Sequence, residues 1–393
     1  CSFWHQQKVF VLCGGKDYLM ETLSNFDGSS LGRSPEYRNC FQQIKMGQAR
    51  IYLNFEQGLA SLNKIMESKK MKVPDNPFGI NAQGLIEGIG LDGLEQIGVQ
   101  IDASDKKFTS SSVLFMSHRK GFLSFFSEVE KEVEFHDFIP AEVFSVSNAR
   151  LGMEDFWPKI EDILKNISPG LHLLVSSQLQ AFEDQANVQV RKGLFGSFGD
   201  QLITLSFLSE PDFQSTTPVI PSTDVFAISL KDPQLFDSTL RATIDSVSQG
   251  NDLFSEREHK GVTIRSIRGV ESMGISVSYA ITDGWLLLAF GQGRYLNQII
   301  NRMDSNRGSL WDVPDISDAV KDLPSGIRQV DYVDLKNMFG FLFSMMDEIK
   351  SNEKIPFKIT EEDFGSFPYF MLGWTKDFKG GLVSKVRFFP FEE

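Results

Sequence analysis

The sequence predicts an α+β fold: an internal duplication with mainly antiparallel sheets and helices packed on one face. Three observations lead there. Ser309–Met346 echoes Ser30–Met66: each opens on Ser-Leu, passes a proline (Pro314, Pro35) and an amphipathic run, then gives a short Tyr-containing strand and an apolar helical run. Hairpin patterns close both blocks, Gln96–Ile101 with Ser111–Met116 and Phe367–Trp374 with Leu382–Phe389. Strict βαβ alternation is missing, which disfavours a doubly wound parallel sheet.

From the start, Trp4–Leu12 reads as a strand, Cys13-Gly14-Gly15 as a turn and Asp17–Phe26 as a helix. Trp285–Phe290, Gly291-Gln292-Gly293 and Tyr295–Met303 repeat that order upstream of the second block. Lys69–Asn81 is loop-like, and Phe122–Phe135 reads as a helix or connector. Phe138–Ser147 and Val219–Ser229 share Ile-Pro, an acidic residue, Val-Phe and a closing Ser, and the alternation in Val143–Ser147 and Val225–Ser229 reads as half-buried strands. Helical runs follow at Met153–Asn166 and Pro233–Ser248. Further strands are expected at His172–Gln180, Phe198–Phe207, Gly261–Arg268 and Ile275–Ile281, with Asp283-Gly284 as a hairpin turn.

This organisation gives two copies, 1–126 and 127–393, the first lacking its N-terminal part. A complete first copy would extend the product upstream of Cys1 by roughly 100–150 residues. Cys1-Ser2 is also what a mature bacterial lipoprotein shows after signal removal. A strand that begins at Trp4 leaves no tether after Cys1, so a chain that starts late is favoured.

Composition bounds the function. The 393 residues carry 41% hydrophobic and 23% charged side chains, a globular balance. The net charge of −13 argues against nucleic acid as a partner and against docking on anionic lipid through a basic patch. No apolar run reaches the roughly 18 residues of a membrane-spanning helix. Phenylalanine is abundant, 35 against 7 Tyr, which points to Phe-rich cores or an apolar interface. Cys1, Cys13 and Cys40 are too few for a disulfide framework, and spacing leaves a Cys13–Cys40 pair open.

Candidate chemistry is sparse. Gly291-Gln292-Gly293 stands where a phosphate loop would, but Leu296 occupies the third glycine position, so a plain turn is expected. Gly196-Ser197-Phe198-Gly199 departs from a nucleophile elbow, with Phe195 where a glycine is needed. Asp363-Phe364-Gly365 has no accompanying kinase motifs. His5, His118, His136, His172 and His259 lie apart, and only His136-Asp137 sets an imidazole beside a carboxylate. Asn166-Ile167-Ser168 has the pattern of a glycosylation sequon. No catalytic, cofactor-binding or metal-binding residue is expected. The one candidate contact surface is apolar: Phe339, Phe341, Phe343, Met345 and Met346, either in a helix buried between two layers or lining a groove for a partner or apolar ligand.

Ile220-Pro221 to Ser229, the Ile275–Phe290 hairpin, the helix at Tyr295–Met303 and the Ser309–Asp334 stretch resemble a bacterial family catalogued as domain of unknown function 3352. The resemblance covers most of 137–393 and less of 1–126. It implies an exported or envelope-associated protein, in the periplasm or at the cell surface, with no catalytic residues to carry over. The reading that follows is a non-enzymatic extracytoplasmic interaction or scaffold protein, possible as one subunit of a larger assembly and bound by protein partners. The alternative is a carrier or sensor of a lipid or other apolar ligand in a cavity between the two copies. A hydrolase is the least favoured reading.

Overall fold

The computed structural model describes residues 2–6, 9–13, 20, 31–44, 47–68, 77–103, 108–127, 131–208, 222–248, 252–270, 276–303, 308–352 and 367–391. The first strands are β1 (Ser2–Gln6) and β2 (Val9–Cys13). They are followed by α1 (Pro35–Gln42), β3 (Ala49–Asn54), α2 (Phe55–Ser68), α3 (Ala82–Ile89), β4 (Leu94–Asp102) and β5 (Thr109–Met116). The middle of the chain gives β6 (Ser145–Arg150), α4 (Phe156–Ile167), α5 (Pro169–Ala186), β7 (Phe198–Leu208), β8 (Ser222–Leu230) and α6 (Pro233–Ser248). Then come β9 (Phe254–His259), β10 (Val262–Ile267), β11 (Val277–Thr282), β12 (Trp285–Phe290) and α7 (Arg294–Met303). The chain closes with α8 (Pro314–Lys321), β13 (Ile327–Asp334), α9 (Leu335–Asn352), β14 (Tyr369–Phe378) and β15 (Gly381–Pro390).

Among the described residues, thirteen strands form one antiparallel sheet in the order β3-β4-β5-β15-β14-β13-β6-β7-β8-β12-β11-β10-β9, so the class is α+β. β1 and β2 pair with each other in a separate two-stranded sheet, from Ser2↔Cys13 to Gln6↔Val9. The single strand expected over Trp4–Leu12 is therefore two strands. In the sequence the polar run His5-Gln6-Gln7-Lys8 interrupts the apolar pattern. The helix expected over Asp17–Phe26 lies outside the described residues, apart from Met20.

The order of elements in the two echoing stretches is the same. A 3-10 turn, Leu31–Arg33 or Leu310–Asp312, leads to a helix that starts on proline, then a strand, then a helix. At both strand–helix junctions the last strand residue caps the helix: Asn54 Oδ1 accepts from the Gln57 N–H at 2.9 Å, and Asp334 Oδ1 from the Asn337 N–H at 2.9 Å. A hairpin follows in each case. The two three-stranded meanders, β3-β4-β5 and β13-β14-β15, join through their last strands, with Val113 opposite Val383.

The sheet is covered on both faces. Successive strand residues point to opposite sides, and Leu287 and Leu286 enter different cores. Leu287 joins Leu205, Ala227 and Ile264 beneath α7 and α8, which contribute Leu296, Ile299, Ile300 and Ile316. Leu286 joins Tyr279 and Leu230 against Phe236 of α6. Helices were expected on one face only. The strands of this half carry apolar residues at successive positions, as in Trp285–Ala289, and such strands need cover on both sides. At the other end α1 packs on the first face, where Cys40 is wholly buried with Phe41, Ile44 and Val113. Cys40 is a free thiol, and burial pushes its pKa up to about 11.

His172–Gln180 is the other correction. It lies within α5, whose start is fixed by Ser168 at the N-cap and Pro169 in the first turn, and whose end is fixed by Asn187 in the left-handed region. The inward residues Leu171, His172, Val175, Ser176 and Leu179 follow a helical period rather than alternation.

The chain between β5 and β6 is fastened to the sheet by a buried polar seam. Arg328, 2% exposed, donates through Nη1 to Asp377 and to the carbonyls of Phe126 and Ser127, and through Nη2 to the Arg150 carbonyl at 2.8 Å. Arg119 Nη1 donates to the other side of Asp377 at 2.7 Å, and its Nη2 to the Gly381 carbonyl at 3.1 Å. Arg150 reaches Asp200 at 2.6 Å and Glu134 at 2.7 Å. Burial pulls the Arg328 guanidinium below its usual range, and Asp377 opposes that shift. Arg328→Met leaves three carbonyls, one of them buried, without this donor and Asp377 without its second cation. The expected loss is about 3–5 kcal/mol in urea unfolding. A loss under about 1 kcal/mol, the scale of an exposed pair, would show that the seam does not hold the connector.

Candidate functional site

The candidate apolar surface is carried by α9, which begins without a loop at the end of β13. Phe339 and Phe343 are one helical turn apart, with ring centroids 6.5 Å apart. Phe339 meets the edge of Phe367 at 5.1 Å, and Phe367 meets Phe388 of β15 at 6.4 Å. Phe341 is half-buried, Leu342 is 43% exposed and Gly340 is exposed. Met345 and Met346 lie in the helix, but their side chains fall outside the described residues. Gly340 and Leu342 leave this described part of the helix open to solvent on one side. Phenylalanines at every second position spread around a helix, and one contact with the sheet covers only part of that arc.

Register shows which sheet face this is. Phe388 has the same parity as Ser384, which pairs with Ser112. Ser112 pairs with Val99, and Val99 with Ile51. The face beneath Phe339 therefore continues to Ile51 and Leu53 on β3, each 51% exposed. β3 is the outermost strand, and its outer edge pairs with no described strand. Its opposite side carries Tyr52, which meets Tyr37 of α1 at 5.3 Å. The far edge of the sheet is β9, whose central residues Glu256, Arg257 and Glu258 are charged and exposed.

A cavity of about 300 Å³ lies where the two meanders join, lined by both polar and apolar side chains, among them Ile44, Gln100, Ser111, Trp374 and Val383. It opens on the face that carries α1, and Phe339, Phe341 and Phe343 are not part of its wall.

The polar candidates take structural places. His136 Nε2 is 3.1 Å from Gln201 Oε1, and its ring lies between Phe138 and Trp285 rather than against a carboxylate. His118 pairs with Asp92 at 3.2 Å, and His259 contacts Asn301 at 2.9 Å. The buried Ser197 hydroxyl donates to the Gly193 carbonyl at 2.7 Å and does not face a base. In the Gly291–Gly293 turn, the Gln292 N–H donates to Thr223 Oγ1 at 2.8 Å, and the Gly293 carbonyl accepts from Arg257 at 3.0 Å. Gly291 has φ +119°, and a Cβ there would stand 2.5 Å from Thr223 Oγ1. That glycine serves a close approach within the fold. Ser168 of the sequon pattern is buried and caps α5, donating to the Phe78 carbonyl. Asp363-Phe364-Gly365 lies outside the described residues. Among the described residues, no group of three or more His, Cys, Asp or Glu is placed to hold a metal, and no helix is long and apolar enough to cross a membrane.

No protein-family model matches the sequence, and no curated protein matches it. Among solved structures, crystal form IV of TP0453 is similar at 10% identity and a TM-score of 0.30, over 65% of this chain and 81% of that one. Crystal form I of TP0453 is similar at 8% identity and a TM-score of 0.26, over 67% and 95%. At such scores the likeness carries no argument about function.

Sequence reasoning missed Asp331, under the same face as α9. Its Oδ1 accepts from Ser147 Oγ at 2.7 Å, and both oxygens accept from Gln329 Nε2 at 2.9 and 3.0 Å. Burial still raises its pKa from 3.8, with those hydrogen bonds pulling the other way. The folded state therefore binds the Asp331 proton more tightly than the unfolded chain. Its contribution to stability is full below pH 3.8 and is lost as pH rises through the raised value. Relative to Asp331→Asn, the native protein should gain stability as pH is lowered through that window. Urea unfolding of both proteins across the window checks this, and parallel profiles would contradict it.

Proposed function

We propose that this chain is a non-enzymatic interaction protein whose protein partner adds a strand to the outer edge of β3. The observation that supports it is the contrast between the two ends of one sheet. β9 guards its edge with alternating charge, the usual defence against pairing. β3 presents Ile51, Tyr52 and Leu53 beside a row of backbone N–H and C=O groups that no described strand pairs. A partner strand there would gain main-chain hydrogen bonds, and Ile51 and Leu53 would set its register through the apolar face. The engaged polar candidates, Ser197 and His136 among them, support a non-catalytic reading. The family resemblance supports a place outside the cytoplasm, as a periplasmic or surface protein. The matching element order supports descent of the two blocks, 1–126 and 127–393, from one duplicated ancestor.

Site-specific photo-crosslinking in the native host tests the partner. A crosslinker at position 53 should give a defined protein adduct, and one at position 257 on the opposite edge should not. Ile51→Lys with Leu53→Lys should abolish partner pairing, read by native mass spectrometry of the purified complex, with circular dichroism unchanged. Equal adducts at both edges, or a complex that survives the double substitution, would overturn the proposal.

A further inference from the structure

A cleft of about 370 Å³ lies between α6 and the strands β9, β10 and β11, at the end of the sheet away from β3. Its floor is Arg265 and Tyr279, each 6% exposed. Arg265 Nε donates to Glu256 Oε1 at 2.7 Å. Its Nη1 stands 3.6 Å from Asp237 Oδ1, within reach of charge but beyond a good hydrogen bond. The guanidinium carbon is 5.7 Å from the Tyr279 ring centroid. The Tyr279 hydroxyl is buried and has no hydrogen-bond partner. Arg265 keeps its ion pairs with Glu256 and Asp237, and the Tyr279 hydroxyl is the floor donor left without a protein acceptor, so an acceptor in the cleft would satisfy it. A guanidinium beside a phenol whose hydroxyl lacks an acceptor suits a carboxylate.

The remaining walls narrow the ligand further. Asp252 is taken by Arg268 at 2.8 Å, and Arg241 by Asp237 at 2.8 Å. Asp245 is exposed at the rim, and no described cation pairs with it. Ile244, Leu253 and Phe254 add an apolar wall. A chain of net charge −13 repels a plain anion and admits a neutral zwitterion. We infer that this cleft binds a small zwitterion, an amino acid or dipeptide with an apolar side chain, its carboxylate on Arg265 and Tyr279 and its ammonium on Asp245. Burial raises the Tyr279 pKa, with Arg265 opposing, which keeps the phenol a donor at neutral pH.

The inference is independent of the β3 edge, and its test leaves that edge intact. Calorimetric titration at low salt would use L-phenylalanine and glycyl-phenylalanine, with acetate and phenethylamine as single-charge controls. At least one zwitterion should bind, and the controls should bind tenfold or more weakly. Tyr279→Phe keeps the buried ring, so the fold should persist while affinity falls about fivefold. Asp245→Asn should remove the preference for zwitterion over acetate. Failure of both zwitterions to bind, or binding unchanged in both variants, would overturn the assignment.

Discussion

The structure depends on the two-sided hold that Arg119 and Arg328 take on Asp377. One carboxylate, one-fifth exposed, receives a guanidinium from the chain just after β5 and another from β13. The same two arginines satisfy carbonyls of the connector, of β6 and of β15. Strands that are distant in sequence are thereby set edge to edge, and the connector is pinned as it passes from β5, across the second meander, to β6. Such a cluster adds little net stability compared with apolar packing of the same volume, yet breaking it strands a buried charge. That asymmetry makes the seam a device for specifying which strands meet.

Much of this architecture was legible in local pattern. The alternation in Phe198–Phe207, the Asp283-Gly284 turn, the strand at Trp285–Phe290 and the helix at Pro233–Ser248 all read directly, because each depends on near neighbours. The misses have physical causes. In α5 the run His172–Gln180 is apolar enough to imitate a strand, and the caps at Ser168 and Asn187 carried the decisive signal. Strand β9 is so charged that nothing in FSEREH announces a strand. Its turn, Lys260-Gly261, with both residues at positive φ, was the available cue. The short α3 was likewise announced only by Asn81 at its start and Gly90 in the left-handed region at its end.

The candidate sites were less legible than the fold. Phe339 and Phe343 were named, and they do form an aromatic contact with the sheet. The exposed pair Ile51 and Leu53 sits in an unremarkable strand and gains meaning only from the strand order, which no local pattern encodes. Arg265 and Tyr279 are fourteen positions apart on neighbouring strands, and only their pairing, Arg265 directly opposite Tyr279, makes them one floor.

The junction of β5 with β15 bears on how such a chain can be made. Arg119 and Gly381, which it brings together, are 262 positions apart. During synthesis the β5 edge stays without its partner strand until β15 has left the ribosome. The first meander must therefore wait, half-assembled, through the production of everything between. Its strand β5 opens on a serine-rich run, TSSSVLFM, which makes a poor template for a stray strand. The serines at the join then look less like filler than like protection for an edge that has to stay open longest.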